Sequence, residues 1–315
     1  MLIVMISLGL MFNGILPIQH AEINTSASNK SLQKDSVVEK EAASIKSGFG
    51  RKGRAFFYWG YNRSAYSKSN IHFWGDGYDF TIYDVAARDS PTRTFVTYIK
   101  PTSFSVPQYN YRIGYYLNDR YSVSIGNDHM KYHLKKQATH LTGKIAKGIP
   151  NAGTYNDSIV AVGEEAEEGG TEDVDLSDLP REFVPEYEHC DGLNDLTAEL
   201  GRTDNLWVAG SRKHALSAIG TVGFGLVATD TEAEVLGIHD RSHTIGGWGY
   251  HLAGFSTTAS IGLQFDFCKH FFLLTRVKGG YINLMDITTT MYGGKASQKF
   301  GFIEHVAVFG FAHSF

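Results

Sequence analysis

The chain has 315 residues, of which 43% are hydrophobic, 13% aromatic and 20% charged, and its formal net charge is −4. This length allows one large domain or two ordinary ones, and so mild a charge gives no electrostatic argument for nucleic acid as a partner. The 34 glycines, the many aromatic residues and the near absence of helical periodicity favour a β-protein.

The N-terminal segment predicts export from the cytoplasm. Met1–Leu16 carries no charge and is shorter than the roughly 20 apolar residues of a membrane-spanning helix. We therefore predict a signal peptide over residues 1–21, with a buried hydrophobic helix as the alternative. Residues 22–53 are rich in Ser, Lys, Asn and Glu and predict a flexible periplasmic tether. Regular patterning begins at Arg54.

Alternation with a period of two predicts strands along the rest of the chain. It is clearest in Pro107–Leu117, where Tyr111, Ile113 and Tyr115 share one face. Asn118-Asp119 and a second alternating run complete a hairpin signature. The predicted strands are Ala55–Arg63, Pro107–Leu117, Tyr121–Tyr132, Phe183–Leu200, Ala215–Thr229, Leu252–Phe267, Phe271–Ile282 and Phe300–Phe315.

The connections between these eight strands alternate in length. Long ones are predicted near 64–106, 133–182, 230–248 and 284–299, and short ones near 118–119, 201–211 and 268–269. Transmembrane barrels combine short periplasmic turns, long external loops and an even strand number. The sequence therefore predicts an all-β, antiparallel, up-and-down transmembrane β-barrel over 54–315. A further hairpin within 68–86 would raise the count from eight strands to ten.

Each predicted strand has one apolar face and one face that carries charge. In a membrane barrel the charged face must line the lumen, and eight strands leave a lumen just wide enough for side chains to fill. We therefore predict a packed, salt-bridged plug in the lumen, with a narrow ligand or ion path as the alternative. The predicted lumen residues are Arg112, Asp128, Asp266, Arg276, Lys278 and Glu304.

The chain resembles small bacterial outer-membrane β-barrel proteins of the eight-stranded type. The resemblance covers roughly Arg54–Phe315 and rests on architecture and on the terminal Phe315, with Phe309 and Phe311 at matching parity. His313, at the same parity, departs from the apolar pattern. The resemblance implies the bacterial outer membrane as the location. It also implies that the barrel-assembly machinery and the outer-membrane lipids are partners.

Three residues are candidates for chemistry. Strand parity places His189 and Asp191 on the lumen side, and a histidine beside a carboxylate is the core of many hydrolytic sites. Outer-membrane lipid hydrolases use a His-x-Ser arrangement, but here the third position is Asp191. Asp128 could join these two residues in binding a divalent cation. The alternative is that Asp128 forms a lumen salt bridge with Arg112 or Lys131.

The sequence favours a non-enzymatic role without a cofactor. The leading hypothesis is a structural or interaction role through long external loops, with the external partner unknown. One alternative is an outer-membrane lipid hydrolase that uses His189. Another is a soluble exported β-barrel that binds an apolar ligand, in which Ile113 would belong to an internal core.

Overall fold

The computed structural model describes residues 49–92, 94–100, 107–164, 183–211, 213–241, 250–289 and 293–314. The predicted signal peptide and most of the predicted tether lie outside these residues, as do Phe315 and most of the acidic run at 164–178. In chain order the elements are β1 (Arg54–Tyr66), β2 (Ser69–Gly75), β3 (Tyr78–Val85), β4 (Ala87–Arg88), α1 (Phe95–Ile99), β5 (Tyr109–Tyr116), β6 (Tyr121–Leu134), β7 (Gln137–Ile145), β8 (Gly153–Val162), β9 (Glu186–Val208), β10 (Ala215–Val235), β11 (Ile238–Arg241), β12 (His251–Asp266), β13 (Phe271–Thr288) and β14 (Lys295–Ser314).

Eight of these strands form a closed antiparallel barrel in the order β1-β5-β6-β9-β10-β12-β13-β14. The pairing of β1 with β14 closes it, from Arg54 opposite Ser314 to Tyr66 opposite Phe302. Closure leaves the barrel strands without a free edge, as a strand in lipid requires. The predicted all-β up-and-down barrel of eight strands is confirmed.

Glycine makes one of these pairings possible. A Cβ atom at Gly60 on β1 would lie 2.2 Å from the carbonyl oxygen of Ala307 on β14. A larger residue at this position would therefore push the closing pair of strands apart.

Several predicted boundaries were wrong because strands continue past the apolar stretch that revealed them. β9 runs through residues 201–208, where a short connection was predicted, and the turn to β10 follows Val208. β10, β13 and β14 also extend into predicted loops. Strand ends outside the lipid need no apolar outer face, so alternation does not mark them.

The two longest predicted connections contain paired strands. β2 and β3 form a hairpin in the first, and β7 and β8 form another in the second. β2 pairs with residues 295–298 at the start of β14, and β3 pairs with β7. We call the two hairpins, residues 69–85 and 137–162, the external lobe. The hairpin considered within 68–86 exists. It pairs with the part of β14 that projects beyond the barrel and does not add a ninth and tenth barrel strand.

The lobe and the adjoining strand ends enclose an apolar core. Ile71, Phe73, Phe80, Ile82 and Leu141 are buried there. Short turns, the start of β1 and the end of β14 lie at the opposite end of the barrel, which is the periplasmic end in proteins of this architecture. The long connections and the lobe are therefore external. Among the described residues, no helix has the length and apolar character of a membrane span.

Candidate functional site

The middle of the lumen holds a buried ionic network. Three cationic and four anionic side chains project inward from five strands, and none is more than 4% exposed. A charge in so dry a place is tolerated only when it is paired and hydrogen-bonded. The members of this network are Arg112, Arg276, Lys278, Asp128, Asp195, Glu199 and Glu304.

Glu199 and Asp128 are the centres of the network. The Glu199 carboxylate lies 3.0 Å from Arg112 Nη2 and 2.9 Å from Arg276 Nη1. Asp128 accepts a hydrogen bond from Lys278 Nζ and lies 3.6 Å from Arg112 Nη2. Lys278 Nζ is also 3.7 Å from Asp195. The predicted lumen plug is confirmed, and so is the predicted bridge between Asp128 and Arg112.

Small and polar residues fit the network into the lumen. Arg112 donates to the Tyr58 hydroxyl at 3.1 Å and to Thr197 Oγ1 at 2.6 Å. A Cβ atom at Gly225 would lie 2.2 Å from Asp195 Oδ1, so only glycine leaves room for that carboxylate. Ser256 donates to the same Asp195 oxygen at 2.6 Å.

The chain just before β1 closes the periplasmic end of the lumen. Arg51 is buried, and its guanidinium donates to Asp266 at 2.7 Å, to Ser217 at 2.8 Å and to Asn205 at 2.5 Å. The Phe49 ring lies beneath the Arg51 guanidinium, 5.2 Å from Cζ. Residues 49–53 of the predicted tether therefore pack into the barrel. Asp266, predicted to face the lumen, does so as the partner of Arg51.

Little space remains between the ionic network and this periplasmic closure. The cavity there has a volume of about 30 Å³ and is lined by Tyr58, Arg112, Tyr116 and Arg276 among others. Between the ionic network and the periplasmic closure, the described lumen is thus filled mainly by side chains.

His189 faces the lumen, as its strand parity predicted, and lies at the external end of the barrel. It is fully buried, its Nδ1 lies 2.9 Å from Thr231 Oγ1, and the rings of Tyr132 and Tyr187 lie 5.6 and 5.0 Å away. The Nε2 atom is buried without a hydrogen-bond partner in the described part of the chain. Burial lowers the pKa of His189 to about 4, so this histidine is neutral at pH 7.

The structure separates the three residues predicted as candidates for chemistry. His189 pairs with Tyr132, whereas Asp128 pairs with Asp195, and four residues along a strand correspond to about 13 Å. The side chain of Asp191 lies outside the described residues. Asp128 is engaged by Lys278. The lipid-hydrolase role of His189 stays a prediction, and the described contacts give this buried histidine neither a substrate path nor a nucleophile beyond Thr231.

Sequence analysis missed a group of carboxylates on the outside of β9 and β10. Glu186, Glu188 and Glu232 have oxygen atoms within 4.8 Å of one another, and Glu188 also contacts His133 Nδ1 at 2.6 Å. Carboxylates facing each other across strands repel, and such a set could hold a divalent cation. The residues come together only through the pairing of Glu188 with Glu232, which no short motif reveals.

The external lobe carries an open cleft at its tip. The cleft has a volume of about 840 Å³ and lies between the turn of β2–β3 and the turn of β7–β8. Its lining includes Trp74, Tyr78 and Asp79 together with Lys144 and Lys147. Asp79 is 3.0 Å from His72. The cleft is an open surface on which aromatic side chains lie beside a few charged groups.

The outer surface of the barrel is a band of exposed apolar side chains. Ile113, predicted in a core by the soluble alternative, is 57% exposed on this surface, so that alternative is wrong. On β13 the band runs from Phe271 to Tyr281, about 33 Å along the strand. With the usual strand tilt of about 40° this spans the roughly 25 Å apolar height of outer-membrane barrels. The chain is an outer-membrane β-barrel. On β9 the exposed apolar residues begin at Leu196, which leaves His189 outside the lipid-facing band.

Comparison with known proteins adds no function. No family model and no curated protein matches the chain. Ail of Yersinia pestis is 11% identical with a TM-score of 0.26, over 82% of this chain and 99% of that one. OprG of Pseudomonas aeruginosa is 9% identical with a TM-score of 0.35, over 84% and 98%. AlkL is 9% identical with a TM-score of 0.36, over 96% and 98%. Similarities this low do not support an assignment of family or function. The assignment of the chain as an outer-membrane barrel rests on the strands and side chains described above.

Proposed function

We propose that the chain is a closed outer-membrane barrel that binds a partner outside the cell through its external lobe. The observation that carries this proposal is the filled lumen. A network of seven buried charged side chains crosses the middle of the barrel, and Arg51 closes its periplasmic end. A barrel filled in this way gives a permeant molecule no path, so its function lies on its surface.

The lobe has the properties of a binding module. Its strands pair with one another and share an apolar core with the adjoining ends of the barrel strands, which holds the lobe in a defined shape. A preformed surface binds at a lower entropic cost than flexible loops do. The cleft at the tip adds a partly buried tryptophan, Trp74, and two exposed lysines, Lys144 and Lys147, that have no ion pair among the described residues.

Two measurements test the proposal. In a planar bilayer, the purified protein is expected to show no stepwise conductance, because the lumen is packed. Embedded in lipid nanodiscs and applied to an array of immobilised oligosaccharides and peptides, it is expected to bind a subset of them. Lys144→Ala is expected to weaken that binding at least several-fold, since the lysine lines the cleft.

Lys213→Ala is the matched control, because Lys213 is an exposed lysine in the periplasmic turn between β9 and β10. Equal binding by the two lysine variants would remove the cleft from the proposal. Stepwise conductance by the wild-type protein would overturn the closed barrel itself.

A further inference from the structure

The helix α1 is fixed against the outer surface of the barrel wall. The hydroxyl of Tyr61 on β1 donates to the carbonyl oxygen of Tyr98 at 2.6 Å, and the two rings lie 4.9 Å apart. Arg63 donates to the Tyr98 hydroxyl, and its guanidinium lies 5.5 Å from the ring centroid. Tyr98 therefore holds the helix over Tyr61 and Arg63.

This attachment places α1 at the external border of the lipid-facing band. The outward residues of β1 are Phe57, Trp59 and Tyr61, after which the exposed Arg63 begins the polar part of the strand. Tyr61 pairs with Tyr109 on β5. Aromatic residues at this level form the girdle that marks the membrane–water interface.

Two apolar side chains of α1 are largely exposed among the described residues. Phe95 is 73% exposed and Val96 is 57% exposed. Val96 is therefore as exposed as Ile113, which faces lipid from the adjacent part of the same wall. The patch formed by Phe95 and Val96 continues the lipid-facing surface, and that continuity identifies lipid as its occupant.

We propose that α1 is an interfacial anchor whose Phe95 and Val96 insert into the outer leaflet beside β1. Tyr98 attaches the helix to the barrel, and the apolar pair enters the border of the acyl chains, as the apolar face of an interfacial helix does. The anchor would hold the start of the connection between β4 and β5 at the membrane surface, to one side of the external lobe. This proposal is independent of the partner-binding role of the lobe.

Spin-label accessibility tests the anchor directly. Val96→Cys would be made in a background with Cys190→Ser and Cys268→Ser, labelled with a nitroxide and refolded into phosphatidylcholine vesicles. The label's collision rates with oxygen, which concentrates in lipid, and with a water-soluble nickel chelate would then be compared. Ile113→Cys is the lipid control. Ile159→Cys on β8, where the native side chain is 51% exposed, is the aqueous control.

The anchor predicts an oxygen-to-nickel ratio at Val96→Cys that approaches the lipid control and exceeds the aqueous control several-fold. A ratio equal to that of Ile159→Cys would overturn the proposal. A mobility shift on boiling shows that each variant has folded, and Phe95→Cys provides a second position if Val96→Cys fails that check. Loss of the lobe's binding activity would leave both ratios unchanged, so the two proposals fail separately.

Discussion

Replacing Lys278 with methionine removes the ammonium group that lies among the carboxylates of the lumen. Lys278 Nζ donates to Asp128 and lies 3.7 Å from Asp195 and 3.8 Å from Glu199. In Lys278→Met, four buried carboxylates would face two guanidinium groups. The side chain of methionine fills a similar volume, so the change tests charge more than packing.

The expected loss is about 3–5 kcal/mol of the free energy of unfolding, the usual cost of breaking a buried ion pair by removing one partner. A pair of unit charges 3.7 Å apart interacts by about 4 kcal/mol at an effective dielectric constant near 20. Methionine avoids the desolvation cost of burying an ammonium group, and this gain offsets part of the electrostatic stabilisation that is lost. The free energy of unfolding would be measured by urea titration of the protein in lipid vesicles.

Arg120→Met serves as the control, because Arg120 pairs with Asp204 at 3.7 Å on an exposed turn and such pairs contribute about 0–1 kcal/mol. Adding Asp128→Asn to Lys278→Met is expected to restore part of the loss, since a carboxylate without its ammonium partner is removed. A Lys278→Met effect no larger than that of the control would refute the reasoning that the lumen depends on paired charge.

Three further predictions concern the lipid face, the periplasmic closure and the external end. Ile113→Arg is expected to cost roughly 2–4 kcal/mol in vesicles, whereas a wild-type chain that folds in buffer without lipid, and that Ile113→Arg unfolds there, would contradict the membrane assignment. Arg51→Ala is expected to lower stability by about 3–5 kcal/mol, since it leaves Asp266 buried without its partner, and Asp266→Asn in the same chain should recover part of the loss. The pKa of His189 is about 4 in the folded protein against an ordinary 6.5, so below pH 6.5 the unfolded chain binds a proton that the folded chain does not. Stability is therefore expected to fall between pH 6.5 and 4, measured as the urea midpoint, and His189→Gln should lose that part of the pH dependence.

The sequence by itself determined the barrel and which way its strands face. Side chains on a strand alternate between faces with a period of two, so the parity of Tyr111 and Ile113 against Arg112 is readable without any tertiary contact. Alternation alone does not distinguish a soluble barrel from a membrane barrel. The predicted export signal, the loop asymmetry and the terminal phenylalanine favoured a membrane barrel, and the exposed apolar outer face confirms it.

Only the tertiary structure decided which side chains pair in the lumen and that the two long connections form the external lobe. Arg51 meets Asp266 from 215 residues away, and nothing near either residue in the sequence indicates the pairing. The sequence did not predict β7 and β8, because apolar and polar residues alternate only weakly in them. Such strands form because they pair with neighbours, as β7 does with β3. The carboxylates of β9 and β10 likewise meet only because the two strands pair, with Glu232 opposite Glu188. The alternation along one strand determines which face of the sheet a side chain is on. Which residue it contacts depends on the register between strands and on the closure of the barrel, and both are set by long-range pairing.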